Sequence, residues 1–354
     1  MVHTLGEISK LIGAHLEGNP HITIESPNEP KLCSREQLAM ALSDKYVEDI
    51  NLGRARAALF SNPTDWKKFN LDGALFLKGT KKSLYELNKI FYRLPRKTTG
   101  VNNQAAISEN VNIGENSSIG AFCSVGARST IGNNVVIYPN VTIFDDVSIG
   151  DGSIIFPGVV ILDKVKIGKQ VICHPNSVIG SDGFSFFSDS HQGIEKVISS
   201  RSDDVKMEFD QYLKVESLGS VIISDNVEIG SNCTIDKGTI SNTVIGSGTK
   251  LDNSVHIAHN VRIGENCLIC GQVGIAGSTK VGDRVVMGGQ VGVADNIEVG
   301  NDVVLAGKTG LSVNAKPNQF LMGNPAMPKS ANIASYMAFR RLPRLIKVLK
   351  KKSI

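Results

Sequence analysis

Between Ile107 and Leu311 an aliphatic residue recurs every six positions, and this repeat restricts the fold more tightly than any other feature of the chain. From Ile107 through Ile113, Ile119 and Val125 to Ile179, twelve of thirteen positions are aliphatic; Cys173 is the exception. The pattern resumes at Ile223, Ile229 and Ile235, slips by four residues through "GTISN", and locks again from Ile245 to Leu311. A period of six is neither that of one helix nor the alternation of one long strand. It fits a parallel β-helix, in which three hexads close a three-sided coil of 18 residues. Stacked coils lie roughly 4.8 Å apart, the spacing of paired strands. The aliphatics then point inward in columns, and stability comes from stacking, because one coil alone buries little. Glycine often follows the aliphatic, as at Gly126, Gly230 and Gly264. Such glycines are expected to ease the turn after each short strand.

The repeat is interrupted and flanked. Residues 181–221 contain "SDGFSFF" and break the period. An insertion in a regular coil adds nothing to the core, so a functional role is expected. Residues 1–100 read as a small α/β module. "TLGEISKLIGAHL" has helical spacing with Leu5, Ile8, Leu11 and Ile12 on one face, "HITIES", "AALF" and "GALFLKG" read as strands, and "KKSLYELNKIFYRL" reads as a second helix. Residues 101–328 form the β-helix, and residues 329–354 a basic helical tail that Pro343 is expected to divide in two. The fold class expected is thus mainly β, with an N-terminal α/β domain and a C-terminal helical tail.

Charge is distributed unevenly along the 354 residues. After Asp302 there are ten Lys and Arg and no acidic residue, whereas the rest of the chain has 28 basic and 34 acidic residues. A basic tail on an acidic body implies an acidic partner at that end. No apolar run approaches the length of a membrane span, and the N-terminus lacks the pattern of a secretory signal, so a cytoplasmic protein without a transmembrane segment is expected. The six cysteines need not pair in such a chain. Cys123, Cys233 and Cys267 each precede a core aliphatic by two, a slot that elsewhere takes Ser, Thr or Val. The CxxC at 267–270 is therefore explained by the repeat.

The hexads resemble the hexapeptide-repeat acyltransferases, whose left-handed β-helices form trimers. "GSDGFSFF", "CTIDKG" and "LDNSVHIAHNV", together with the N-terminal α/β domain and the basic C-terminal helix, narrow the resemblance to the UDP-3-O-acylglucosamine N-acyltransferases, the LpxD family. That resemblance spans essentially the whole chain. It implies a homotrimer that moves a 3-hydroxyacyl chain from the 4′-phosphopantetheine thioester of acyl carrier protein to the 2-amino group of UDP-3-O-acylglucosamine in lipid A biosynthesis. No cofactor, metal or nucleic acid is implied, and no acyl-enzyme. The alternative is another sugar-nucleotide O- or N-acyltransferase of the same superfamily.

By resemblance the general base is His259 of "IAHN". An amine must lose a proton to attack a thioester, and imidazole, with an ordinary pKa of about 6.5, can take one near neutrality. His259 lies two residues after core Ile257 and past the small Ala258, where a side chain reaches outward. One coil further on stands Gly277, whose backbone N–H is a candidate to stabilise the oxyanion. Substrate contacts are expected from Asp182, Phe184 and Phe186 of the insertion, from Asp236 and Asp252 of the two other motifs, and from His256. Acyl carrier protein is expected on Arg340, Arg341, Arg344 and Lys347.

Three positions depart from the family pattern. Many members have a second His where this chain has Asn296, which can bond substrate but cannot take a proton. In the uracil-binding segment Met40 replaces Phe and Ser43 replaces Asn, while Tyr46 remains. Uridine binding is expected to persist and weaken, Met contacting a ring through its sulfur. Lys237 stands where Arg is common, keeping the charge without the bidentate fork. Other readings fare worse. A zinc enzyme of the three-His kind would need His174, His256 and His259 on one ion, yet His174 is 82 residues before His256. A non-enzymatic ice-binding coil would show regular Thr arrays, and none appears.

Overall fold

Short strands recur at the predicted six-residue interval and stack into three parallel sheets of ten, ten and nine strands. The computed structural model describes residues 2–77, 80–93, 95, 100–188, 211–323 and 326–352, and the chain divides into two units, Met1–Arg96 and Lys97–Ile354. In the second unit the regular pairing is with the strand 18 residues later, as Ile119 with Ile137 and Ile257 with Ile275, and at the C-terminal end the offset shortens to 16, with Leu305 beside Leu321. Across the insertion the offset grows to 56, with Ile167 beside Ile223. Across the "GTISN" slip it is 22, with Ile235 beside Ile257. Both irregularities are thus expelled as loops while the inward columns stay in register.

The interior holds two aliphatic positions per hexad. Ile119, Val125, Ile257 and Ile275 are buried, and so are Val135, Val141, Val255 and Val273, each two residues before such a position. At most places where that earlier slot holds Ser, Thr or Cys, the side chain donates to a carbonyl of the next coil, Ser177 being an exception that donates to His174 O. Ser129 Oγ reaches Phe144 O at 3.0 Å, Thr279 Oγ1 reaches Ala294 O at 2.7 Å, and Cys233 Sγ reaches Asp252 O at 3.1 Å. The slot wants a small donor as well as a small volume. All six cysteines are free thiols, Cys267 buried and Cys270 partly so.

The glycines after the core aliphatic serve a different end from the one expected. At Gly126 a β-carbon would stand 2.4 Å from the carbonyl carbon of Phe144 in the next coil. Glycine is needed there because two backbones touch. The left-handed dihedrals of the corners fall on other residues, chiefly Asn, such as Asn134 (φ 57°) and Asn260 (φ 61°), and Asn tolerates that region best after Gly.

The first unit is a five-stranded sheet in the order His15–Gly18, Gly73–Phe76, Ala57–Phe60, Gln37–Ala41, Ser26–Asn28, with an antiparallel first strand and parallel pairing elsewhere. Leu59 and Leu75 face a core shared with helices α1 (Leu5–Ile12) and Leu87 of α3 (Thr80–Phe91); the short α2 is Asp44–Glu48. Ala58, Phe60 and Ala74 face a second core with Trp66 and Phe69. Burial on both faces explains the unbroken apolar run "AALF". Two expectations are corrected. Helix α1 stops at Ile12, where Gly13 caps it at φ 64°, and Leu11 is exposed while Leu5, Ile8 and Ile12 are buried. The apolar stripe is one residue narrower than the spacing implied.

The tail forms one helix, α4 (Lys329–Lys352), that runs through Pro343 without dividing. Proline removes one backbone donor there, and the described side chains around it are exposed, so water can satisfy the carbonyl left over. Among the described residues no helix is long and apolar enough to cross a membrane.

Candidate active site

The corner that follows strand His256–Ile257 gathers most of the chemistry. Ile257 is fully buried, the chain turns outward through Ala258, and His259 stands half-buried at the corner. Gly277 occupies the same corner one coil later. A β-carbon on Gly277 would lie 2.7 Å from Cε1 and 2.8 Å from Nε2 of His259. On the other side Gly183, from the insertion, approaches so closely that its β-carbon would lie 2.6 Å from Cβ of His259 and 2.9 Å from Cγ. The imidazole is therefore packed against two glycines, and its Nδ1 is 3.0 Å from Asn260 Oδ1. The Gly277 carbonyl accepts from Asn296 N–H at 3.0 Å, while the Gly277 N–H has no partner among the described residues.

A buried carboxylate lies in the same neighbourhood. Asp236 accepts from Ser181 Oγ at 2.7 Å, and its other oxygen is 3.8 Å from His256 Nε2. His256 itself is exposed, with Nδ1 2.8 Å from Thr234 Oγ1. Burial pushes the Asp236 carboxyl above the usual carboxylate range, opposed by the Ser181 hydroxyl and by charge on His256 and His259.

The insertion reaches this corner through Asp182. That carboxylate pairs with Lys214 of the insertion and, at 2.8 Å, with Lys237 of the coil, and the two ammonium groups hold it below the usual range. Phe186–Ser188 pairs antiparallel with Tyr212–Lys214, and the Gly183 N–H donates to Ser217 Oγ at 3.2 Å. Phe184 is 85% exposed, its ring centroid 5.0 Å from that of Phe186. Residues 189–210 of the insertion lie outside the described residues.

The structure thus brings Asp182, Asp236, His256, His259, Gly277 and Asn296 to one region of the coil. Asn296 is exposed, and its amide nitrogen is turned to Asp295 Oδ2 at 2.9 Å. Asp252 is not part of this group within one chain. It sits after Lys250–Leu251 on a different sheet, where its Oδ2 accepts from Gly271 N–H at 2.9 Å. That sheet carries an open groove of about 640 Å³ lined by His174, Glu228, Lys250, Asp252 and Cys270, without His259. His174 is held there by Glu228 at 2.8 Å and stacked on Phe156, away from the sheet that bears His256. Among the described residues no group of three or more His, Cys, Asp or Glu could hold a metal ion.

In the first unit Met40 is half-buried against the α1–α3 core, Ser43 is exposed at the N-cap position of α2 without a side-chain capping bond, and Tyr46 lies within α2. A separate cavity of about 310 Å³ is lined by His15, Glu17, Asn62, Thr64 and Phe76, none of which the sequence singled out. Arg340, Arg341, Arg344 and Lys347 are all exposed on α4. Sequence reasoning also passed over Gly183, Ser181 and Asn260. Only the slip at "GTISN" hinted at Asn260, because an expelled loop needs partners for its backbone.

The model for the bacterial transferase hexapeptide (six repeats) matches residues 110–145 and 242–277. A UDP-3-O-acylglucosamine N-acyltransferase of Ruegeria pomeroyi is 47% identical over 347 residues, 98% of this chain and 96% of that protein. One from Paracoccus denitrificans is 40% identical over 274 residues, 77% of this chain and 75% of that protein. Among solved structures, an Arabidopsis UDP-N-acetylglucosamine acyltransferase aligns with a TM-score of 0.54 over 63% of this chain and 71% of its own, at 22% identity, a likeness of fold alone. Coil, repeat and relatives together define an acyltransferase of the hexapeptide-repeat class. Within that class the chain belongs to the UDP-3-O-acylglucosamine N-acyltransferase family.

Proposed function

We propose that the protein, as a cytoplasmic homotrimer, transfers a 3-hydroxyacyl chain from acyl carrier protein to the 2-amino group of UDP-3-O-acylglucosamine, a step of lipid A biosynthesis. The observation that supports this most is the packing of His259 between Gly183 and Gly277, with the Gly277 N–H, which has no partner among the described residues, beside the imidazole.

In this reading Nε2 of His259 takes a proton as the sugar amine attacks the thioester carbonyl. The new bond is C–N, and the Gly277 N–H stabilises the oxyanion that forms. Collapse breaks the C–S bond, and the pantetheine thiolate leaves with the proton returned from the imidazolium. Attack is direct, so no cysteine is acylated. Asp236 and His256 face the substrate, Phe184 and Phe186 offer an apolar surface to an acyl chain, and the first unit holds uridine through Met40, Ser43 and Tyr46. The acidic carrier protein docks on Arg340, Arg341, Arg344 and Lys347.

Purified protein incubated with 3-hydroxyacyl carrier protein and UDP-3-O-acylglucosamine is expected to give an amide detectable by mass spectrometry. An ester product, or preference for UDP-N-acetylglucosamine, would replace this reading with that of a sugar-nucleotide O-acyltransferase. Carrier-protein affinity is expected to weaken as salt rises; affinity indifferent to ionic strength would move the docking site off α4.

A further inference from the structure

Residues 237–242, the loop made by the four-residue slip, close over the side chain of Asn260. Thr239 N–H donates to Asn260 Oδ1 at 3.0 Å. Asn260 Nδ2 donates to Ser241 O and Ser241 Oγ, both at 3.0 Å. The Asn260 N–H donates to Thr243 Oγ1 at 2.9 Å. A backbone N–H can only donate and a backbone carbonyl can only accept. The Asn260 amide therefore has one orientation: flipping it would set donor against donor at Thr239 and acceptor against acceptor at Ser241.

That orientation aims Oδ1, an oxygen that only accepts, at His259 Nδ1 at 3.0 Å. The contact is a hydrogen bond only if Nδ1 carries the proton. We propose that Asn260 is a positioning residue that fixes His259 as its Nδ1–H tautomer, leaving the Nε2 lone pair, on the Gly277 side, as the base. The proposal rests on the reading of His259 as general base. It also gives the slip a purpose. The loop through "GTISN" supplies the Thr239 and Ser241 backbone groups that a regular hexad would direct to the neighbouring coils. Which ring nitrogen is protonated is set by the bond the other nitrogen makes, and a base presenting the wrong tautomer cannot take the amine proton.

The decisive measurement is the ¹⁵N spectrum of the histidine-labelled protein, with His259 assigned by the signals lost in His259→Ala. Neutral His259 is expected to show a protonated Nδ1 and a bare Nε2; the reverse pattern overturns the proposal. Asn260→Ala should mix the tautomers and lower kcat about 100-fold with KM little changed. Asn260→Asp keeps an acceptor toward Nδ1 and should retain the Nδ1–H tautomer with kcat above that of Asn260→Ala. An unchanged spectrum and kcat in Asn260→Ala would also overturn it. Should that variant fail to fold, the wild-type spectrum decides alone. Full activity in His259→Ala would instead remove the base and leave the tautomer result standing.

Discussion

Gly183, carried on the insertion, rests against His259: a β-carbon at residue 183 would stand 2.6 Å from Cβ of His259. Two segments 76 residues apart in sequence meet there with no room for a methyl group. The insertion is therefore part of the corner that holds the imidazole.

Gly183→Ala and Gly277→Ala each force the His259 ring to move. A displacement of about 1 Å can cost on the order of 100-fold in rate. Both variants are expected to keep the melting temperature of the coil near wild type while kcat falls. An unchanged kcat in both would mean the ring position is immaterial.

Asp182→Asn removes the pairs with Lys214 and Lys237 that tie the insertion to the coil. The folded Asp182 carboxyl is held below its ordinary range, so its stabilising effect is present above the unfolded pKa and lost as pH falls through the lowered value. The variant should show faster proteolysis after Gly183 at neutral pH, and the wild type should approach it only in acid. Equal cleavage rates at neutral pH would show that other contacts hold the hairpin.

Asp236→Asn has the opposite sign. Burial raises the folded carboxyl, so folding favours the protonated form, and the charge costs stability increasingly as pH rises from the unfolded pKa to the folded one. The amide should melt no lower than wild type at neutral pH, and higher if the Ser181 bond survives, while transfer activity falls. A lower melting temperature that persists across that pH range would show that the carboxylate is structural.

Ile257→Ala leaves a cavity in a column where Ile235 and Ile275 are the neighbours. The cost expected is about 2–5 kcal/mol, read as a lower urea midpoint with an unchanged slope. A loss under about 1 kcal/mol would mean that adjacent coils collapse into the space.

The outward slot that carries His259 was legible because the coil is periodic, two residues past a core aliphatic, and so was Gly277 one coil above it; the choice of His259 as base came from the family resemblance. Asp252 was harder to place, since hexad counting gives the side of the triangle a residue occupies but not which sides share a site. The role of Asn260 was hidden in the expelled loop, where no period applies, and the reach of Gly183 was hidden in the insertion. Leu11 and Pro343 were misjudged for a simpler reason: neither helical spacing nor a proline reports how much of a helix is covered by its surroundings.

The sequence by itself determined the three-sided coil, its register and the outward corner on which His259 stands, because each hexad repeats one local rule and errors in one rung would misalign the next. Only the tertiary structure decided what surrounds that imidazole. Gly183 reaches it from the insertion, and the 237–242 loop holds the Asn260 amide against it, from segments that no local rule relates, and contact between them depends on how far backbones can approach in space.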